Sequence, residues 1–548
     1  QEIGEGTNLT KALFSIGDAY FEKGDLDNAV KHFGQALELA QRLNIRETEW
    51  RALRGMGRVH RARGNLTDAH DAFQKAIAVV EDMRAGIKVE EFRNGFLENK
   101  LDLYEDMVIL LLDLGRVEDA FTYSERSRAK SFIDLLGNQR ISLQNAADQK
   151  LYERQQALKN KIRGVEESVG QADGAARDKL HADLVKLRAE YRDLLIEIKA
   201  ANPQLSSFVS VDVIKLPDLY ALLSPDAALL EYLVARKEIV IWVVRKGDVQ
   251  VFRIATDTDA LRRKVMDYRQ LIQNLSDLET KPKEFYDLLI KPVEPQLKGV
   301  KYLGIVPHGI LHYLSFASLH DGTNYLVDDY SLFHSPSASV MQYTFRERKG
   351  PKNTRVLAIG NPDLGTATYD LPFAEKEVKS ITWNFPQIDV LTREKATESW
   401  VVGNIGKYGI IHIASHGEFD PVSPLFSALK LRKDAGADGN LEVNEVTGLQ
   451  TDADLVTLSA CQTGLGKIES ADEVIGLNRA FIYAGTRAIL SSLWRVSDVS
   501  TAIMVKHFYR NYQEANKADS LRKAQLLVKR YYPHPSYWAG FVLTGDYR

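Results

Sequence analysis

The sequence predicts an α-helical repeat domain followed by an α/β region built on a mostly parallel sheet with helices on both faces. Three observations carry that expectation. A pattern of small and aromatic residues recurs near the start, the hydrophobic period changes at Asn202-Pro203, and beyond that point short apolar runs alternate with amphipathic segments. With 548 residues, 45% of them hydrophobic, the chain carries too much apolar material for one ordinary core, so several domains are expected.

The first copy of the repeat has Leu13, Gly17, Tyr20, Gly24, Ala29, Phe33 and Ala36. The second has Leu53, Gly57, His60, Gly64, Ala69, Phe73 and Ala76 at the same offsets, displaced by 40 residues (57 − 17), and a looser third has Tyr104, Gly115 and Ala120. Small residues stand where two helices cross closely, and the order small, aromatic, small resembles tetratricopeptide repeats, whose period of about 34 is here lengthened. Residues 1–140 are therefore assigned to a helical solenoid. Such a solenoid either packs on its neighbours or offers a concave groove to a peptide or regulatory partner.

Residues 141–205 are rich in Lys, Arg, Glu, Asp, Gln and Leu, with leucines at helical spacing, and are expected to form a charged hairpin broken near GQADGAA. The segment LLEYLVARKEIVIWVVRKGDVQVFRI then reads as three strands with turns at ARKE and RKGD. After the breaker RKGPKNT, the runs VLAIGNP, IDVLTR, GIIHIASHG, LVTLSAC and AILSSLW read as buried strands. Between them FAEKEVKSI, ESWVVGNIG, VIGLNRAFIYAG and VSTAIMVKHFYRNY read as helices, the alternation of a parallel, doubly covered sheet. The blocks 206–345 and 346–548 are treated as two halves.

Charge and composition narrow the function. The 71 Lys and Arg against 74 Asp and Glu give a net charge of −3, so no nucleic-acid partner and no anionic membrane are expected. The longest aliphatic stretch, Met107 to Leu112, is far below the ~20 residues of a spanning helix. The chain opens at Gln1 with no charged-then-apolar leader, as a trimmed product would, and a bacterial, cytoplasmic location is expected. The single cysteine, Cys461, rules out an internal disulfide and a multi-cysteine zinc site.

Parallel sheets place their chemistry beyond the carboxyl ends of strands. GIIHIA runs into Ser415-His416-Gly417, and LVTLSA runs into Cys461-Gln462-Thr463-Gly464. If the two strands are neighbours, an imidazole and the only thiol leave one edge together. A thiolate is the nucleophile, and a histidine serves as its base and later as general acid to the leaving amine. Glycines on the far side of each, Gly417 and Gly464, let a substrate carbonyl approach backbone N–H groups. The competing reading of a lone cysteine is a small buried hydrophobe.

The segments HIASHGEFDPVSPLFSALKL, LVTLSACQTGLG, ADEVIGLNRAFIYAGTRAILSSLWRVSD, HPSYWAGFVLTGD and the upstream VPHGILHYLSFASL resemble the CHAT family, caspase-like peptidases that often follow tetratricopeptide repeats. The resemblance spans residues 206–548. It implies a caspase-like fold, a His416 and Cys461 dyad, and an oxyanion hole from the N–H groups of Gly417 and Cys461. It also implies that 206–345 is a degenerate protease-like half supporting the active half, 346–548, as in separase. No cofactor is expected, and the implied partner is a protein substrate, with recruitment or control of access by the repeats. In the same folds the segment after the nucleophile borders the primary specificity pocket, which implicates Asp472 and Glu473 in selecting a basic residue before the cut; helix-dipole stabilisation accounts equally for acids at a helix start.

Competing features remain. Six of the twelve histidines, His308, His312, His320, His334, His412 and His416, lie between 308 and 416, without a pattern that completes a zinc set. Asp434, Asp438, Gly439 and Glu445 fit positions one, five, six and twelve of an EF-hand loop, but Gly436 replaces the oxygen ligand at three. That leaves a polar connection, or a calcium-dependent peptidase like a metacaspase. GLGK at 464–467 lacks the spacing of a phosphate loop. Glu418 and Asp420 lie near His416 without a readable direction. The rival from another class is a catalytically silent scaffold that binds a protein through its repeats.

Overall fold

A computed structural model describes residues 2–85, 100–137, 213–346, 353–418, 426–459, 461–462 and 472–548, with isolated helical positions between 154 and 190. They fall into two units, Gln1–Val213 and Ile214–Arg548. Most of the expected hairpin at 141–205 lies outside the described residues, as do Thr463 to Ser470 and Asp420.

In the first unit the helices α1 (Glu2–Glu22), α2 (Leu26–Arg42), α3 (Arg46–Ala62) and α4 (Leu66–Ala85) pack in succession, followed by α5 (Leu101–Asp113) and α6 (Val117–Gly137). Phe33 and Phe73 are fully buried and explain the repeated order of residue types. A methyl group added at Gly17 would meet the Phe33 ring at 2.8 Å, and one at Gly57 would meet the Phe73 ring at 2.5 Å. The glycine is what lets the aromatic ring lie against the neighbouring backbone. Gly24, Gly64 and Gly115 turn the chain between helices with φ of 81°, 78° and 71°. The lengthened period resides in helices of 17 to 21 residues.

The second unit is built on an eleven-stranded sheet. Its strands are β1 (Ala227–Val234), β2 (Glu238–Arg245), β3 (Asp248–Ala255), β4 (Tyr302–Val306), β5 (Ser331–His334), β6 (Val356–Pro362), β7 (Ile388–Arg393), β8 (Ile410–Ala414), β12 (Leu455–Leu458), β14 (Ala488–Ser492) and β15 (Phe541–Gly545), in the order β3-β2-β1-β4-β5-β15-β14-β12-β8-β6-β7. Seven of the ten pairings are parallel; β1 with β2, β2 with β3 and β14 with β15 are antiparallel. Every residue of β1, β4, β6, β8 and β12 is buried, which requires cover on both faces.

The α-helices of six or more residues described in this unit are α7 (Leu216–Leu222), α8 (Thr258–Gln273), α9 (Lys281–Leu289), α10 (Pro372–Ile381), α11 (Glu398–Asn404), α12 (Val443–Gly448), α13 (Asp472–Tyr483), α14 (Asp498–Asn511) and α15 (Lys517–Tyr531). Helix α10 packs on β6 and β8 and against α14, which in turn packs on α15. The chain's last strand, β15, lies between β5 and β14, so 206–345 and 346–548 are two parts of one continuous sheet.

Candidate active site

Strands β8 and β12 are adjacent and parallel, with Ile411 opposite Val456, His412 opposite Thr457 and Ile413 opposite Leu458. Ser459 N–H then donates to the Ile413 carbonyl at 2.9 Å, carrying the pairing past the end of the ladder. Beyond it the chains join a second, four-stranded sheet of β9 (His416–Glu418), β10 (Ala428–Lys430), β11 (Asn440–Glu442) and β13 (Cys461–Gln462). In it Cys461 pairs directly with His416 and Gln462 with Gly417, in parallel. The structure thus brings the backbones of the expected dyad together at the carboxyl ends of neighbouring strands. Gly417 is also paired with Leu429 of β10, so this peptide is held from both edges. Glu418 forms an ion pair with Lys430.

His416 has a partner that side-chain reasoning could not find. Its Nε2 lies 2.9 Å from the carbonyl oxygen of Tyr369. A carbonyl only accepts, so Nε2 carries the proton, and in the neutral ring Nδ1 is left with the lone pair. The Tyr369 ring stands edge-on to the imidazole, with centroids 5.8 Å apart and planes at 78°. The loop that presents this carbonyl is pinned on both sides. Leu371 N–H donates to Asn361 Oδ1 at 2.7 Å, and Asp370 is paired with Arg393. Helix α10 starts at the next residue, Pro372, a position where proline costs no hydrogen bond.

Residues 281–546 match the CHAT domain, and residues 9–82 match a tetratricopeptide repeat. The chain thus carries a CHAT-domain match behind a tetratricopeptide-repeat match. It is 24% identical over 614 residues to human Tetratricopeptide repeat protein 28, covering 91% of this chain and 24% of that protein, and 24% identical over 609 residues to its mouse counterpart. The chain spans about a quarter of the length of these curated relatives. Among solved structures, the Saccharomyces cerevisiae separase–securin complex aligns at a TM-score of 0.42 and 10% identity, over 98% of this chain and 53% of that one. The TPR domain of Arabidopsis FLU aligns at a TM-score of 0.19 and 20% identity, over 22% of this chain and 93% of that one.

Several other expected features of the CHAT region are engaged within the protein. His412 is fully buried, with Nε2 2.8 Å from Glu377 Oε1 and Nδ1 3.2 Å from the Tyr509 hydroxyl. His308 Nδ1 accepts the Val234 N–H at 3.2 Å, as a histidine that orders a loop would. In the loop at 434–445, Asp434 accepts from Ser399 and from Gly436 N–H, and Glu445 accepts the Glu442 N–H at 3.0 Å. The carboxylate that an EF-hand would use as its last ligand instead closes a capping box at the start of α12. Among the described residues no group of three or more His, Cys, Asp and Glu is placed to hold a metal. Asp472 is the first residue of α13 and Glu473 the second.

Proposed function

We propose that the CHAT region is a cysteine endopeptidase with Cys461 as nucleophile and His416 as its base and acid. The observation that supports this most is the direct parallel pairing of Cys461 with His416, on an imidazole whose Nε2–H is fixed by the Tyr369 carbonyl. With that edge occupied, Nδ1 is the nitrogen available to take the thiol proton. The thiolate then attacks the scissile carbonyl carbon. As the C–N bond breaks, His416 returns the proton to the departing amine, leaving a thioester that a water molecule, deprotonated by the same imidazole, hydrolyses. In this reading the backbone N–H groups of Gly417 and Cys461 hold the oxyanion, and Asp472 with Glu473 selects a basic residue before the cut. The substrate is a protein, and the tetratricopeptide repeats recruit it or govern its access.

The scaffold reading has one observation in its favour. The curated relatives are named for their repeats alone. Proteome-wide amino-terminal labelling after incubation with wild type or Cys461→Ala separates the two. Endopeptidase activity predicts new amino termini with wild type that are absent with the variant, and identical profiles support the scaffold. Adding a chelator should leave wild-type cleavage unchanged, because Glu445 and Asp434 are already engaged within the protein.

A further inference from the structure

Four buried polar side chains from four separate elements meet beneath the candidate dyad. His412 comes from β8, Thr457 from β12, Glu377 from α10 and Tyr509 from α14. The first, second and fourth are fully buried, and Glu377 is 5% exposed. Glu377 Oε1 is 2.8 Å from His412 Nε2, the Tyr509 hydroxyl is 3.2 Å from His412 Nδ1, and the Thr457 hydroxyl is 2.8 Å from that of Tyr509. With the imidazole neutral, each donor has one acceptor. Thr457 donates to Tyr509, Tyr509 donates to Nδ1, and Nε2–H donates to the Glu377 carboxylate. Burial pushes the Tyr509 phenol up from its ordinary value, so it keeps the proton this chain requires.

The register gives this chain its significance. His412 and Thr457 are directly opposed in the β8–β12 ladder, and His416 and Cys461, four residues later in each segment, are directly opposed in the β9–β13 ladder of the second sheet. A one-residue slip between the strands would break both pairings at once and turn alternate side chains to the wrong face. Glu377 adds α10, whose entry loop supplies the Tyr369 carbonyl to His416. The chain therefore touches β8 and β12, the strands that lead into those of the base and the nucleophile, and the helix behind the carbonyl.

Resting on the peptidase reading, we propose that Glu377, His412, Tyr509 and Thr457 are positioning residues that set the register of His416 against Cys461. Apolar packing alone would hold the sheet together, but it does not discriminate between registers as a fully paired polar chain does. His412 and Thr457 lie on strands of the other sheet, four residues before His416 and Cys461, so the chain acts through backbone placement and not by contact with substrate.

Cys461 is the only cysteine, so iodoacetamide reports on this thiol without a substrate. Its alkylation rate against pH should be measured in the full chain for wild type, His416→Ala, Tyr509→Phe and Tyr232→Phe, alongside thermal unfolding. Tyr232→Phe is the control, because Tyr232 lies on β1, five strands from β12, and the substitution removes a buried hydroxyl that donates to the Leu289 carbonyl of α9 at 3.1 Å. The expectation is a wild-type midpoint below the ~8.5 of a free thiol, with Tyr509→Phe slowing alkylation near neutral pH about 3- to 10-fold as the midpoint rises. Tyr232→Phe should leave the profile unchanged. On a cleaved peptide, Tyr509→Phe should lower kcat by a similar factor with KM within about twofold. If Tyr509→Phe does not fold, Thr457→Val, which keeps the side-chain shape, makes the same test. A Tyr509→Phe or Thr457→Val profile that superimposes on wild type, or a shift of equal size in Tyr232→Phe, overturns the positioning role. A wild-type midpoint at the free-thiol value and unmoved by His416→Ala overturns the dyad itself and this inference with it.

Discussion

The carbonyl oxygen of Tyr369 stands 2.9 Å from Nε2 of His416 and fixes which imidazole nitrogen carries the proton. The contact is made by main chain, so the side chain at 369 can change while the loop cannot. Tyr369→Phe should leave kcat and KM within about twofold of wild type, because the carbonyl stays in place. Asn361→Ala removes the acceptor of Leu371 N–H from a buried position where φ is +50° and Asn is better tolerated than Ala. It should lower kcat several-fold with little change in KM. Steady-state kinetics on one peptide checks both.

The repeats make their own prediction. Gly57→Ala drives a methyl group to 2.5 Å from the buried Phe73 ring and should destabilise by about 1–3 kcal/mol, the usual cost of overpacking. Gly34, within α2, has open space around the same added atom, so Gly34→Ala should stabilise by about 0.5–1 kcal/mol. Calorimetry of the full chain with each substitution should move a transition in opposite directions.

His334 supplies a pH dependence unrelated to catalysis. Burial pushes its imidazole down to about 4 from an ordinary 6.5, and Nδ1 is buried without a hydrogen-bond partner. Between those values the unfolded chain binds a proton that the folded chain refuses. Stability from this site is complete above about pH 6.5 and is lost as pH falls toward about 4. Urea unfolding across that window should show a shallower loss in His334→Gln than in wild type; parallel curves would place the titration elsewhere.

Specificity can be read from a peptide library. If Asp472 lines the pocket for the residue before the cut, wild type prefers Arg over Lys there, and Asp472→Asn weakens that preference. A basic preference untouched by the substitution, or an apolar one from the outset, would leave Asp472 as an acid at the start of α13 and nothing more.

The buried strands were legible because each is a short, continuous apolar run. β6, β7, β8, β12 and β14 fall where the sequence places them, as do the three strands between 227 and 255. The adjacency of β8 and β12, on which the dyad depends, was left open by the sequence and is set by the order of the sheet. Strands β9, β10, β11 and β13 were not legible as a second sheet, since two or three residues are too few to show a period. The position of β15 between β5 and β14 is a tertiary choice that FVLTG does not encode. Tyr369 was invisible for a different reason: any residue has a carbonyl. Tyr509 and Glu377 sit 97 and 35 positions from His412, and helical period alone places each simply on a buried face.

The central claim is that Cys461 and His416 act as one catalytic unit, and turnover measured together with thermal unfolding tests it most directly. Cys461→Ala and His416→Ala should each lower turnover of a cleaved peptide by about a thousandfold or more, and the double variant should lose little beyond either single one. Unfolding temperatures should stay close to wild type. Wild-type turnover in Cys461→Ala, with its fold intact, would contradict the account.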